Sequence, residues 1–137
     1  MTAFMNTTKL EKKRILVVDD LARNTRLLKL YLEQTNDYVV REENDANAAI
    51  SAAEEFQPHL ILLDVMMPDL DGGELAIRFQ ASPKLKAVPI VFLTAAITKA
   101  ELEAGGGRRG GFTFLAKPVV LSDVAACVKH QLAESVS

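Results

Sequence analysis

The sequence is poor in the residues that mark several classes of protein. It has one cysteine, Cys127, and no tryptophan among its 137 residues. A lone cysteine cannot form an internal disulfide, so it fits a reducing compartment better than a disulfide-stapled secreted domain. No apolar run approaches the roughly 18 residues of a membrane-spanning helix, and the first 13 residues lack the apolar segment of a signal peptide. We therefore expect a cytoplasmic protein that does not engage a membrane.

An excess of charge of one sign is also absent. The chain has 16 basic and 18 acidic residues, which gives a net charge of −2 at pH 7. A protein that binds the phosphate backbone normally carries a basic surplus, so we expect no direct binding of nucleic acid. The length suits one domain with one core. We expect residues 1–12 to form a polar arm and residues 13–137 to form the domain.

Short aliphatic runs alternate with patterns of helical spacing along this domain. The run Leu60–Leu63 is too short for a buried helix and suits a strand that is covered on both faces. Other strands are predicted near residues 14–18, 38–42, 90–95 and 112–116. Five helices are predicted as well. Helical spacing predicts one over residues 22–34, from Leu27, Leu28, Tyr31 and Leu32, and another from Leu75 and Phe79. Capping residues predict the other three: Asp45 before the stripe Ala46, Ala49, Ile50, Ala53 and Phe56, a capping box at Thr98 for a helix that ends near Ala104, and Ser122 before Val124, Val128 and Leu132.

Polar residues stand where the predicted strands end. Asp19 and Asp20 follow the first strand, Asp64 closes the third, Thr94 ends the fourth, and Lys117 follows the fifth. Alternation of strand and helix implies parallel strands with right-handed crossovers. In open α/β sheets the ligand site lies at the carboxyl ends of the strands. The sequence therefore predicts one site that combines carboxylates, a hydroxyl and an ammonium group.

The order and spacing of these residues resembles the receiver domain of two-component response regulators, over about residues 13 to 132. The resemblance implies an α/β, flavodoxin-like fold: a doubly wound sheet of five parallel strands in the order 2-1-3-4-5. It implies a phosphorylation-dependent signalling switch. Asp64 would accept a phosphoryl group from a histidine kinase or a histidine phosphotransferase, and the domain would not turn over a separate substrate.

A cation is expected at this site on chemical grounds as well. Two carboxylates about 5 Å apart repel by roughly 3 kcal/mol at an effective dielectric constant near 20. Oxygen ligands favour a hard ion such as Mg²⁺, with Mn²⁺ as the alternative. The resemblance implies that Asp20, Asp64 and the main-chain carbonyl of Met66 bind the metal directly, and that Asp19 acts mainly through water.

The resemblance implies further roles near the strand ends. Lys117 and Thr94 would contact the phosphoryl oxygens, and Thr94 would move together with Phe114 as the switch. The Lys117–Pro118 peptide bond would be cis. Phosphodonors would dock on the first helix and the loop after the fifth strand, near Asn24, Leu27 or Leu28, and Val119.

Other interpretations remain open at this stage. A phosphatase of the haloacid-dehalogenase kind also has an aspartate nucleophile at a strand end, but it has a second Asp where this chain has Met66. A receiver-like interaction module that needs no phosphate is a second alternative. Cys127 and His130 could pair on zinc, although no further ligand pair is evident. The glycine-rich stretch around Arg108 and Arg109 lacks the Gly-Lys-Ser/Thr ending of a P-loop, and we interpret it as a loose turn.

Overall fold

The chain alternates between strands and helices, as its pattern predicts. The computed structural model describes residues 11–65, 72–95, 108–109 and 112–136. The strands are β1 (Lys13–Val18), β2 (Tyr38–Glu43), β3 (Leu60–Asp64), β4 (Ile90–Thr94), β5 (Arg108–Arg109) and β6 (Phe112–Ala116). The helices are α1 (Ala22–Glu33), α2 (Ala49–Phe56), α3 (Gly72–Ala81) and α4 (Leu121–Val136), and a short 3₁₀ helix (Ala46–Ala48) precedes α2.

The strands form a single sheet in the spatial order β2-β1-β3-β4-β6-β5. β1, β2, β3, β4 and β6 are parallel, and only the two-residue β5 pairs antiparallel, with β6. Counted in chain order, the parallel strands follow the sequence 2-1-3-4-5, which confirms the predicted topology. The chain reverses its direction of progress across the sheet between β1 and β3. A site is expected at the carboxyl end of that pair.

Helices cover both faces of this sheet, and β1 supplies alternate residues to each face. Leu16 and Val18 belong to a core shared with α2 and α3, whereas Ile15 and Val17 belong to a core shared with α1 and α4. The buried helix residues include those that helical spacing predicted: Leu28, Leu32, Ala49, Ala53, Leu75, Phe79, Val124, Val128 and Leu132. Among the described residues, no helix combines the length and the apolar character needed to cross a bilayer.

Two local predictions were wrong. The choice between Leu27 and Leu28, which the sequence left open, is settled by burial: Leu28 is 2% exposed and faces the core, whereas Leu27 is 51% exposed. Ser122 does not cap α4, because the N–H groups of Asp123 and Val124 donate to the carbonyl of Val120 and the helix begins at Leu121. The glycine-rich stretch is not wholly a loose turn, because β5 lies within it.

Some sequence predictions fall outside the residues that the structure describes. Met66, the expected carbonyl ligand, is one of them. The helix predicted from Thr98 is another, as is the polar arm up to residue 10.

The outer edge of β2 is covered by side chains of α1. The Val40 N–H donates to Glu33 Oε2 at 2.8 Å, and the Val40 carbonyl accepts from Lys29 Nζ at 2.9 Å. Partial burial tends to raise the pKa of Glu33, but the Val40 hydrogen bond and the Lys29 ammonium outweigh it and leave that pKa below its ordinary value. Both outward-facing backbone groups of Val40 are therefore satisfied, which blunts a sheet edge that could otherwise pair with another chain.

Candidate phosphoacceptor site

The strand register brings the predicted site residues to one edge of the sheet. Val18 is level with Leu63 across β1 and β3, so Asp19 and Asp64 follow side by side. Thr94 is level with Ala116 across β4 and β6, so Lys117 comes one residue further along. Residues far apart in sequence therefore meet at the carboxyl ends of the central strands.

Three carboxylates cluster at this edge. One oxygen from each of Asp19, Asp20 and Asp64 lies within 4.8 Å of the others. Asp19 and Asp64 are each 1% exposed, whereas Asp20 is exposed. At an effective dielectric constant near 20, two buried charges at this distance repel by about 3.5 kcal/mol. The cluster therefore requires cations close by.

Lys117 supplies one of these cations. Its Nζ lies 3.3 Å from Asp19 Oδ2 and 3.3 Å from Asp64 Oδ1, so it bridges the two buried carboxylates. The Lys117 N–H also donates to the carbonyl of Thr94 at 2.8 Å, which ties the end of β6 to the end of β4. The Lys117–Pro118 peptide bond is cis, the conformation that the resemblance implies.

Asp19 is held by further contacts that the sequence did not predict. Its Oδ1 accepts from the N–H of Leu21 at 3.0 Å, and its Oδ2 accepts from Asn24 Nδ2 at 3.2 Å. These contacts fix the buried carboxylate from the residue before α1 and from the first turn of that helix. Asp19 is thus oriented by the protein itself, whereas Asp20 projects from the exposed side of the cluster.

The hydroxyl residue and the aromatic residue of the predicted switch lie on neighbouring strands. Thr94 is buried at the end of β4. Phe114 of β6 is partly buried, and its ring stacks on that of Phe92 with centroids 5.0 Å apart and an interplanar angle of 27°. Phe92 and Thr94 are both on β4, so the packing of Phe114 and the position of Thr94 share one strand.

Comparison with known proteins decides the family. The family model described as the response regulator receiver domain matches residues 15–129. The chain belongs to this receiver family. The match spans the acidic cluster, Thr94 and Lys117, so the strand-end residues that the sequence singled out all lie within the receiver domain.

Individual relatives of the receiver domain agree with this assignment. It is 40% identical over 119 residues to the transcriptional regulatory protein ResD of Bacillus subtilis, and these cover 87% of this chain and 48% of ResD. It is 37% identical over 106 residues to the response regulator PleD of Caulobacter vibrioides, covering 77% of this chain and 23% of PleD. The chain thus spans about half the length of ResD and under a quarter of PleD.

A solved structure shows the same fold. A CheY-like response regulator receiver domain protein from Methanospirillum hungatei superposes with a TM-score of 0.76 at 25% identity, over 91% of this chain and 97% of that one. The receiver domain therefore shares its architecture with proteins of the same family.

A groove opens beside the acidic cluster of the receiver domain. Asp19 and Lys117 form its polar end. The rest is lined by Asn24, Leu27 and Leu28 of α1, by Leu93 of β4, and by Pro118 and Val119 after β6. The structure therefore brings together the residues for which the resemblance implied contact with phosphodonors.

The donor atoms of the cluster fit a hard divalent cation. Within the described ranges, Asp19, Asp20 and Asp64 form the one group of three or more side chains that could hold a metal ion. Carboxylate oxygens suit Mg²⁺ or Mn²⁺. Cys127 lies outside this group, and burial raises the pKa of its thiol to about 11. Neither Cys127 nor His130 belongs to that group, so within the described ranges the zinc alternative lacks the further ligands that a protein zinc site needs.

Proposed function

We propose that Asp64 is the phosphoacceptor of this receiver domain. The observation that supports this most directly is the bridge from Lys117 to the buried Asp64 carboxylate at the end of β3. In the proposed step, a carboxylate oxygen of Asp64 attacks phosphorus. The new O–P bond forms as the N–P bond of a phosphohistidine breaks, and the imidazole nitrogen keeps the electron pair. Lys117 faces the developing phosphoryl charge, and the Thr94 hydroxyl is the second donor from the protein.

A divalent cation completes the charge balance of the proposed site. Three ionised carboxylates carry a formal charge of −3, and Lys117 brings the total to −2. We propose that Asp20 and Asp64 hold Mg²⁺ directly, with the Met66 carbonyl as the family implies, and that Mn²⁺ can replace it. When bound, the cation neutralises charge on the phosphoryl oxygens. Asp19, already bound to Lys117, Leu21 and Asn24, is better placed to act through water.

Phosphorylation would be read out through Thr94 and Phe114. Attraction of the Thr94 hydroxyl to the phosphoryl group would shift the end of β4. Phe114 has no hydroxyl and stacks on Phe92 of the same strand, so its two positions would differ in packing alone. The proposed output of the switch is therefore a change in the surface around β4 and β6.

The groove beside the site is the proposed docking surface for the phosphodonor. Leu27 is half exposed on α1 and lines this groove with Val119. An apolar rim next to a charged centre suits a histidine kinase or phosphotransferase that must bring its phosphohistidine to Asp64. We propose that the donor is reached in the cytoplasm and that the chain, with a net charge of −2, does not bind nucleic acid. We further propose residues 13–137 as the domain and residues 1–12 as a polar arm.

Incubation with acetyl phosphate tests the proposal without a partner protein. We expect intact-mass spectrometry to show one added phosphoryl group in the presence of Mg²⁺ and none when EDTA removes it. Failure to label in Mg²⁺ would instead favour a phosphate-independent interaction module. Steady hydrolysis of small phosphoesters, each molecule turning over many times, would favour a phosphatase.

A further inference from the structure

The Asp20 carboxylate owes its position to its backbone. Among the residues that the structure describes, its side chain has no hydrogen-bond or ion-pair partner. Asp19, by contrast, is held by Lys117, Leu21 and Asn24. Whatever fixes the peptide between Asp19 and Asp20 therefore also sets the direction in which the Asp20 carboxylate points.

The backbone of Asp19 is held on both sides: its N–H, in the preceding peptide, bonds to the end of β2, and its carbonyl, in the Asp19–Asp20 peptide, bonds to the residue after β2. The Asp19 N–H donates to the carbonyl of Glu43 at 3.2 Å. The Asp19 carbonyl, which lies in the plane of the Asp19–Asp20 peptide, accepts from Asn44 Nδ2 at 2.8 Å. A carbonyl can only accept, so the nitrogen of the Asn44 amide must face it. Rotation of this peptide would break the Asn44 bond.

Asn44 is in turn oriented by a buried hydroxyl. The same Nδ2 donates to Thr25 Oγ1 at 3.0 Å, and Thr25 is fully buried. The Thr25 hydroxyl has one proton and two acceptors within reach, Glu42 Oε1 at 2.8 Å and the Ala22 carbonyl at 3.0 Å, and the shorter contact is to the carboxylate. Neither acceptor can donate to Oγ1, so the amide of Asn44 is the donor to it. When that proton points to Glu42, the lone pairs of Oγ1 face Asn44. The hydrogen bonds from Asn44 to Thr25 and from Thr25 to Glu42 form a series in which each bond has one direction.

Glu42 is the last acceptor of this series of hydrogen bonds and is itself paired with Arg26. Its Oε2 is 2.9 Å from Arg26 Nε. Partial burial tends to raise the pKa of Glu42, but the hydrogen bonds from Thr25 and Arg26 outweigh it and leave that pKa below its ordinary value. At neutral pH Glu42 is ionised and acts only as an acceptor, which keeps the Thr25 proton directed towards it.

We propose that Asn44, oriented by Thr25 and Glu42, is a positioning residue for the cation site. It holds the Asp19–Asp20 peptide so that the Asp20 carboxylate points into the acidic cluster. This inference rests on the proposed function, because it concerns the affinity of the same site for Mg²⁺. Residues that orient a metal ligand without touching the metal typically contribute 10- to 100-fold in affinity.

The first test compares Asn44→Ala with Asn47→Ala, a matched loss of an exposed asparagine three residues away. Mn²⁺ alone is titrated into each apoprotein, the free ion is followed by electron paramagnetic resonance, and Mg²⁺ is then added as competitor. We expect Asn44→Ala to weaken the binding of both ions about tenfold and Asn47→Ala to leave it within twofold. Equal affinities for wild type and Asn44→Ala would overturn the inference.

A phosphorylation assay separates positioning from a general structural role. The rate with acetyl phosphate is measured against Mg²⁺ concentration. Asn44→Ala should need about tenfold more Mg²⁺ for its half-maximal rate, with the same plateau, and it should remain folded in EDTA at the temperature of the assay. A lowered plateau at an unchanged half-saturation would contradict positioning. If wild type itself neither binds Mn²⁺ nor becomes phosphorylated, the proposed function fails rather than this inference.

The Thr25 link is tested by a second pair of variants. Thr25→Val removes the hydroxyl with little change in volume, and Thr25→Ser keeps it. We expect Thr25→Val to weaken Mn²⁺ binding in the same direction as Asn44→Ala, and Thr25→Ser to restore wild-type affinity. Loss of affinity in both variants, or in neither, would show that the hydroxyl does not orient Asn44.

Discussion

Replacing Lys117 with methionine would remove the cation that bridges the two buried carboxylates. Each 3.3 Å pair, with Asp19 and with Asp64, corresponds to about 5 kcal/mol of attraction at an effective dielectric constant near 20. Desolvation of the three groups offsets much of this, and removal of one partner from a buried pair typically costs about 3–5 kcal/mol. The Lys117 side chain is 22% exposed, so we expect the lower end of that range, about 3 kcal/mol.

Urea unfolding in EDTA measures this cost directly. The control is Lys129→Met, which removes the same charge from an exposed position on α4 and should change the free energy of unfolding by less than about 0.5 kcal/mol. Equal effects of the two substitutions would refute the view that Lys117 compensates the acidic cluster.

Mg²⁺ should reduce the difference in the free energy of unfolding between wild type and Lys117→Met. Without Lys117 the three carboxylates keep a formal charge of −3 instead of −2, so the variant should bind the cation more tightly. A ligand that binds only the native state stabilises it by mass action. A stability difference that does not change with Mg²⁺ would show that the lysine and the cation do not share the field of the same carboxylates.

Two further predictions concern pH and the sheet edge. Burial lowers the pKa of His59 below its ordinary value of 6.5, and its Nδ1 accepts from the Arg14 N–H. As pH falls, the imidazole of His59 therefore takes up a proton in the unfolded chain before it does so in the folded protein. The contribution of His59 to stability should be complete above about pH 7 and decrease as pH drops towards the folded pKa. In urea unfolding, His59→Gln should remove this pH dependence, whereas His130→Gln should keep it. Glu33→Ala should cost about 1–2 kcal/mol at pH 7, because it leaves the Val40 N–H without its acceptor. Because the pKa of Glu33 is lowered, this loss should shrink as pH falls below 4.5, and a pH-independent loss would contradict the account.

The pattern of apolar residues predicted most of the fold, because burial of one or both faces of a strand or helix gives its apolar residues a regular spacing. The aliphatic run before Asp64 and the spacing of Leu75 and Phe79 led to the observed β3 and α3. The pattern could not decide between Leu27 and Leu28, because adjacent helix residues are only about 100° apart. It also missed β5, since two residues carry no period.

The site residues that lie at strand ends could be predicted from the sequence, whereas those that lie elsewhere could not. Asp19, Asp64, Thr94 and Lys117 were found because strand ends are visible in the sequence and parallel strands end at one edge. The hydrogen bond of Asn44 to the Asp19 carbonyl joins residues 25 positions apart. A contact between a loop side chain and a distant backbone carbonyl leaves no local pattern. Asn44 and its neighbours in space therefore emerged only from the three-dimensional structure.

The identity of the phosphoacceptor is tested most directly by comparing wild type with Asp64→Asn after incubation with acetyl phosphate and Mg²⁺. Intact mass should show one added phosphoryl group on wild type and none on the variant. Matching melting temperatures within a few degrees in EDTA would show that the variant is folded. Equal labelling of the two proteins would contradict the account, because the phosphoryl group would then reside on a residue other than Asp64.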